Sequence, residues 1–262
     1  MNGIQKATEG RYLYCIASCG DGLSLREIGI DKAQVYTIPH NDIAAVVHVC
    51  PPKPYESKDE ERVKRWVFTH NYIIDQATKR FGMVLPFSFD SIVKGDDGAV
   101  EGWLSENYSR FKGELERLKG KSEHTVQIFC DASLLARRIE KDNQEIGWLA
   151  EDIKVAPKGK AHLLERKLQK MIREAVAAQV RDWSKKFHGQ IEEHVEEARE
   201  ERSRFVPERF KDKKLVLGLS CLVSDGKVEK LGEVLRQINE QEGFSVRFTG
   251  PWAPFSFVRL NK

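Results

Sequence analysis

Apolar positions along the chain recur at two spacings, and the two alternate. Arg11-Tyr-Leu-Tyr-Cys-Ile-Ala17 is β-branched and aromatic and breaks at Cys19-Gly20-Asp21-Gly22, which predicts a strand and a turn. Two more strands are expected near Gln34–Ile38 and Ile43–Val49. Pro39-His40-Asn41-Asp42 joins them as a tight turn, because Asn and Asp side chains bond the backbone two residues on. Between Lys58 and Phe81 the spacing becomes helical: Val63, Val67, Ile74, Ala77 and Phe81 form one stripe, flanked by Trp66, His70 and Ile73. Gly82 ends that helix, and Met83-Val-Leu-Pro-Phe-Ser-Phe89 reads as a buried strand. Pro86 cannot donate to a ladder, so it belongs at an edge or a bulge. A second helix is expected over Ala99–Leu118.

His124–Asp131 reads as a further strand, and Leu134–Ile153 as irregular helix, punctuated by Pro157-Lys158-Gly159. The longest helix is expected over Ala161–Arg202, carried by Leu164, Leu168, Val176, Val180, Phe187 and Ile191. At about forty residues it is long for a domain of this size, so part of it should project or bridge. A short strand at Arg204–Arg209, the apolar strand Lys214–Val223, a helix over Val228–Ile238 and a strand at Phe244–Phe248 follow. From His124 the order is β-α-β-β-α-β, the split βαβ or ferredoxin-like order. The expected fold is α+β in two domains. Residues 1–121 form a small mixed unit ordered β-β-β-α-β-α. Residues 122–262 form a ferredoxin-like unit that includes the tail 249–258.

Composition narrows the function. The 262 residues carry 43 basic and 40 acidic side chains, a net charge of +3, which gives no support for nucleic-acid binding. The N-terminal residues lack the apolar core of a signal peptide, and no apolar run approaches the ~20 residues of a membrane span. Five cysteines, odd in number and scattered over apolar segments, suit reduced thiols in a cytoplasm. A soluble, cytoplasmic protein is expected.

Candidate chemistry is sparse. Gly20-Asp21-Gly22 lacks the third glycine of a dinucleotide loop, since Leu25 stands there, and no Gly-Lys-Ser/Thr follows. Cys15 and Cys19, four apart on a strand, would share a face but have no further soft ligands at metal-binding spacing. His188 and His194 lie about 240° apart around a helix and cannot share a metal. No Gly-x-Ser-x-Gly elbow occurs, and Gly218-Leu-Ser220 sits in an apolar strand. Glu242-Gly-Phe-Ser-Val-Arg-Phe248 is one residue short of an RNA-binding aromatic strand and follows the helix that such a strand precedes. No catalytic residue, metal, cofactor or nucleic-acid partner is therefore expected.

Two features point to protein partners. The doublets Glu192-Glu193, Glu196-Glu197 and Glu200-Glu201 would form two acidic rows on the expected helix. They read either as a solvated face, partly neutralised by Arg199, Arg202 and Arg204, or as a docking face through Glu193, Glu197 and Glu201. The tail Gly250-Pro-Trp-Ala-Pro-Phe-Ser-Phe257 holds its aromatics out at low entropic cost, because the prolines pre-set the backbone. It reads either as packing on its own sheet or as an anchor for another protein. Phe255 and Phe257 are expected on the sheet and Trp252 outward.

Thr249-Gly-Pro-Trp-Ala-Pro-Phe-Ser-Phe257 resembles the C-terminal signature of the GvpF/GvpL family of gas vesicle proteins, close to T-G-P-W-P-P-Y-S-F, with Ala253 and Phe255 substituted. His70-Asn71 followed by Met83-Val-Leu-Pro-Phe-Ser-Phe-Asp-Ser-Ile92 is similar to the family's histidine-led helix and V-L-P-x-x-F-G strand, with Asp90 in place of glycine. Pro157-Lys-Gly-Lys-Ala-His-Leu163 is similar to its K-G-x-x-Y-L helix start, and Tyr12-Leu-Tyr14 suits its opening strand. The resemblance implies a non-enzymatic accessory or minor structural component of gas vesicles. It implies binding to the small hydrophobic shell protein and other vesicle proteins, limiting premature aggregation. A ferredoxin-like module holding a small ligand or acting as a regulator is the alternative from another class.

Overall fold

The structure, a computed structural model, describes residues 9–22, 24–201 and 206–260. Contacts divide the chain into two compact units, one built from residues up to Glu123 together with Pro251 onward, the other from His124–Gly250.

The first unit is built on β1 (Gly10–Ala17), β2 (Ser24–Ile28), β3 (Gln34–His40), β4 (Ile43–Cys50), β5 (Val84–Pro86) and β6 (Ile92–Lys94), with α1 (Glu60–Phe81) and α2 (Asp97–Leu118). The strands run in the order β2-β3-β4-β1-β5, and β6 also pairs with β1. All eight residues of β1 are buried, and both helices contact this strand. Burial on both faces is why Tyr12–Ala17, after the ion-paired Arg11, reads as continuously apolar. A bulge between Leu13 and Cys15 shifts the register against β4. It lets Tyr12, Tyr14, Cys15 and Ala17 all join the core beside α1. Asn41, at φ 54°, and Asp42 form the two-residue hairpin between β3 and β4. Asp59 and Asp96 cap the helices, accepting from Glu61 and Arg62 and from Ala99. Gly82 ends α1 at φ 79°.

Three expectations change here. The unit runs β-β-β-β-α-β-β-α: β2 is an additional strand, and the strand expected over Met83–Phe89 is shortened to β5 and followed by β6. Pro86 lies on β5, an end strand, where its missing donor costs nothing. Cys19 lies beyond β1 in a turn, its Sγ 3.5 Å from the Asp21 carbonyl, so Cys15 and Cys19 do not share a strand face.

The second unit contains most of β7 (Lys121–Cys130), then α3 (Ala132–Asp142), α4 (Gln144–Val155), α5 (Lys158–Glu192), β8 (Glu197–Glu200), β9 (Lys214–Ser224), α6 (Val228–Asn239) and β10 (Phe244–Trp252) up to Gly250. Its sheet has the order β10-β7-β9-β8. Val126, Ile128, Leu219, Cys221 and Val223 of the sheet pack with Val180, Phe187 and Ile191 of α5 and Leu231, Leu235 and Ile238 of α6.

The long helix ends ten residues before its expected end, at Glu192 rather than Arg202. Glu197–Glu200 instead pairs antiparallel with β9, Glu197 opposite Leu222 and Glu200 opposite Leu219. Strand pairing there avoids stacking like charges at i,i+4. Of the strand expected at Arg204–Arg209, Arg204 and Phe205 lie outside the described residues, and Glu208–Phe210 is a single 3-10 turn. The irregular segment 134–153 is two helices that meet at Asn143, whose side chain accepts from Ile146 N to start α4. β10 runs on through Thr249–Trp252, where the prolines and aromatics suggest irregular chain. It is an end strand, where Pro251 is tolerated.

Candidate partner-binding surfaces

The tail after Gly250 packs on the first unit, whereas sequence order places it with the second. Gly250 takes φ 133°, a backbone that favours glycine. Pro254 then turns the chain, its carbonyl accepting from Phe257 N at 3.0 Å and Val258 N at 3.2 Å. Ser256 donates from N and Oγ to Glu123 at 2.8 and 2.6 Å. Arg117 donates to the Phe257 carbonyl and pairs with Glu114 at 3.0 Å. Glu114 accepts from Arg259 N at 2.9 Å. Burial pushes the Glu114 carboxyl up, but the Arg117 and Arg259 hydrogen bonds outweigh it and hold it below the usual range.

These bonds sort the three aromatics. Phe257 is fully buried, whereas Trp252 is 52% exposed and Phe255 40% exposed. Phe255 lies over His70, ring centroids 6.4 Å apart, and so covers the core only in part. Ala253, between the prolines, is buried with Tyr12 and Tyr14. Trp252 is thus an exposed indole next to a firmly packed residue.

Beneath Phe255 lies a lattice of buried tyrosines and histidines. His70 Nε2 donates to the Phe87 carbonyl at 3.1 Å, since a carbonyl can only accept. Its Nδ1 must then accept from Tyr12 Oη at 3.0 Å, and Tyr12 Oη accepts from Asp90 N at 3.0 Å. His48 lies flat on Tyr12 with centroids 4.9 Å apart, its Nε2 3.0 Å from Tyr55 Oη. Tyr55 N donates to Asp90 Oδ1 at 2.9 Å, and Tyr14 Oη accepts from Ile30 N at 3.1 Å. Burial lowers both histidines to about 4 and raises the Tyr12, Tyr14 and Tyr55 hydroxyls well above their ordinary value. All five groups are neutral near pH 7. They brace the fold, and their only trace along the chain is polar rings inside apolar stripes.

The acidic residues do not form one face. Glu193 follows α5 and is exposed. Glu197 pairs with Arg199 at 3.3 Å, Glu196 with Lys227 at 2.9 Å, and Glu201 accepts from Gln127 at 2.7 Å. Burial raises Glu201, against the pull of that hydrogen bond and of Arg247. His188 and His194 are also apart, His188 near the end of α5 and His194 beyond it. Among the described residues no group of three or more His, Cys, Asp or Glu could hold a metal ion. No helix among them is long and apolar enough to cross a membrane.

Among the described residues, exposed apolar side chains also occur singly at Val49, Leu134 and Leu215, and in groups at two places on helices that periodicity does not single out. Phe68 and Tyr72 are four apart on α1, and Trp148, Val155 and Leu163 lie on the hairpin formed by α4 and α5. Each falls off the buried stripe of its helix, and that departure is the signal that marks it.

Known proteins agree with this architecture. A profile of the family described as gas vesicle synthesis protein GvpL/GvpF matches residues 10–259. Gas vesicle protein L1 of Halobacterium salinarum is 29% identical over 263 residues, covering 98% of this chain and 93% of the relative. Gas vesicle protein L of Haloferax mediterranei is 31% identical over 233 residues, 88% and 72% respectively. The crystal structure of gas vesicle protein GvpF from Anabaena sp. PCC7120 superposes with a TM-score of 0.76 at 16% identity, covering 97% of this chain and all of that one. That of GvpF from Microcystis aeruginosa gives 0.67 at 18%, covering 96% and 99%. The chain belongs to the GvpL/GvpF family of gas vesicle proteins.

Proposed function

We propose that this member of the GvpL/GvpF family is a cytoplasmic accessory protein of gas vesicle formation. It binds the small hydrophobic shell protein, together with other vesicle proteins, and covers the subunit's apolar surface until it enters the growing wall. Membership of a family of gas vesicle proteins, which is not a known enzyme family, supports the setting. The observation that carries the binding step is the tail. Trp252 is half exposed while Ala253 beside it and Phe257 beyond it are buried. An indole presented from a braced backbone loses little entropy on binding, and a few such aromatics dominate many interfaces. Phe255, partly exposed beside the buried Phe257, adds a second exposed aromatic three residues along the tail. Glu193 is left as the acidic contact for a basic partner, because Glu197 and Glu201 are engaged within the chain.

We further read the chain as two domains with a boundary near residue 122, the second ferredoxin-like. The order β10-β7-β9-β8, with α5 between β7 and β8 and α6 between β9 and β10, supports that reading.

The test is capture of purified shell protein by the wild type and by Trp252→Ala. The variant is expected to keep the wild-type melting temperature and to lose most of the captured shell protein. A variant that captures as well as the wild type would remove the tail from the interface. Loss of capture only in proportion to unfolding would return Trp252 to the core.

A further inference from the structure

The α4–α5 hairpin carries two exposed surfaces of opposite charge, each with an apolar centre. On α4, Trp148 and Val155 are seven residues apart and about 20° apart around the axis. They are 68% and 85% exposed, and Asp152 and Glu151 flank them. Glu151 is paired with the exposed Lys154 at 2.7 Å, so that α4 keeps a net acidic surface through Glu145, Glu151 and Asp152 against one lysine. Ile146 and Leu149, buried, face the other way. On α5, Leu163 is 68% exposed among Lys160, Arg166, Lys167 and Lys170, all exposed. From Lys158 to Arg173 the only acid on this helix is Glu165, and one residue on Glu174 pairs with Lys170 at 3.8 Å.

Beyond the Lys170–Glu174 pair, helix stability does not account for this basic face. Arg166 and Lys170, and Lys167 and Lys170, are like charges at i,i+4 and i,i+3, which destabilise a helix. Lys158 and Lys160 sit in its first turns, at the positive end of the dipole, and the first turn has no acidic residue. An acidic surface laid against α5 would relieve both penalties. An apolar pair laid against Leu163 would cover the exposed side chains.

We propose that this surface binds a second copy of the chain, the α4 face of one molecule seating on the α5 face of the next. Charge complementarity selects that occupant, because the acidic-apolar face that α5 calls for is present on α4. The two faces therefore differ, and the contact is heterologous: it joins copies head to tail and can continue past a dimer. This surface lies outside the tail, so the inference stands or falls independently of the shell-protein reading.

Sedimentation velocity on the full chain over a range of concentrations tests it, with Trp148→Asp and Leu163→Asp as variants. Both positions are exposed, and matching circular dichroism and melting temperatures verify that each variant folds. The wild type is expected to assemble beyond dimer as concentration rises, and less so at high salt. Each variant alone is expected to stay monomeric. An equimolar mixture of the two is expected to form a dimer and stop there, because each partner retains the face the other lacks. A wild type that stays monomeric overturns the proposal, even if it binds anionic vesicles or an acidic peptide instead. Assembly that neither variant weakens also overturns it. So does a variant mixture that remains monomeric.

Discussion

Ser256 and Glu123 are joined twice, Ser256 N and Oγ each donating to a different oxygen of the same buried carboxylate. Glu123 stands on β7 at the limit of the first unit, so this contact holds the returning tail in that unit. Glu123→Ala would leave Ser256 N without its acceptor, at a cost of about 1–3 kcal/mol. Denaturant titration should register that loss, and limited proteolysis should cut faster within 251–260. Unchanged proteolysis would mean that Arg117 and Phe257 hold the tail alone.

Phe257 and Phe255 should separate cleanly in the same titration. Phe257→Ala empties a fully buried site and is expected to cost roughly 3–5 kcal/mol. Phe255→Ala removes a ring that covers His70 only from one side, and about 1 kcal/mol is expected. Equal costs would show that Phe255 closes the core as firmly as Phe257.

Acid should weaken the fold through its histidines. His48 and His70 titrate near 6.5 when unfolded and near 4 in the fold, first because burial disfavours the charged ring. A depressed histidine stabilises the fold fully above the unfolded value, and the contribution is lost as pH falls from about 6.5 to about 4. For each ring the loss is on the order of 3 kcal/mol, a large part of a typical domain's stability. Unfolding free energies measured from pH 7 to 4 should decline through that window. His70→Gln, whose amide can still donate to the Phe87 carbonyl, should flatten the decline. A flat wild-type profile would mean that the rings are solvated before the chain unfolds.

The helices are legible because a buried stripe imprints its period on the chain, as Trp66, His70, Ile73, Ile74 and Ala77 do on α1. β8 is not legible. Glu197-Ala-Arg-Glu200 has no alternating apolar set, and its extended state comes from pairing with Leu219–Leu222 of β9. Local propensity does not contain that partner. The proline and aromatic run of the tail is visible, but its landing on Glu123 and Arg117 depends on contacts more than 130 residues away in sequence. Tyr12 and His70 likewise meet across 58 residues, so the polar rings can be seen without the lattice they form. Trp148 and Val155 fall in a stretch that reads as irregular, where the break at Asn143 hides the period of α4.

Asp90 offers a final test, because its two roles pull in opposite directions. It sits at φ 70°, a left-handed backbone that strains a residue with a Cβ by about 1–2 kcal/mol and costs glycine nothing. Its Oδ1 also accepts from Tyr55 N, and its own N donates to Tyr12 Oη. Asp90→Gly relieves the strain and keeps the bond to Tyr12. It loses the acceptor for Tyr55, at about 1.5–3 kcal/mol for a charged partner, and frees the unfolded chain by roughly a further 0.4–1 kcal/mol. Asp90→Ala loses the same acceptor and keeps the strain. The expected order of stability is therefore wild type, then Gly, then Ala, with Gly within about 2 kcal/mol of wild type and Ala about 1 kcal/mol lower again. Chemical denaturation of the three proteins at one pH decides it. A glycine variant more stable than wild type would mean that water replaces the carboxylate at Tyr55 N, and that relief of backbone strain outweighs the lost acceptor.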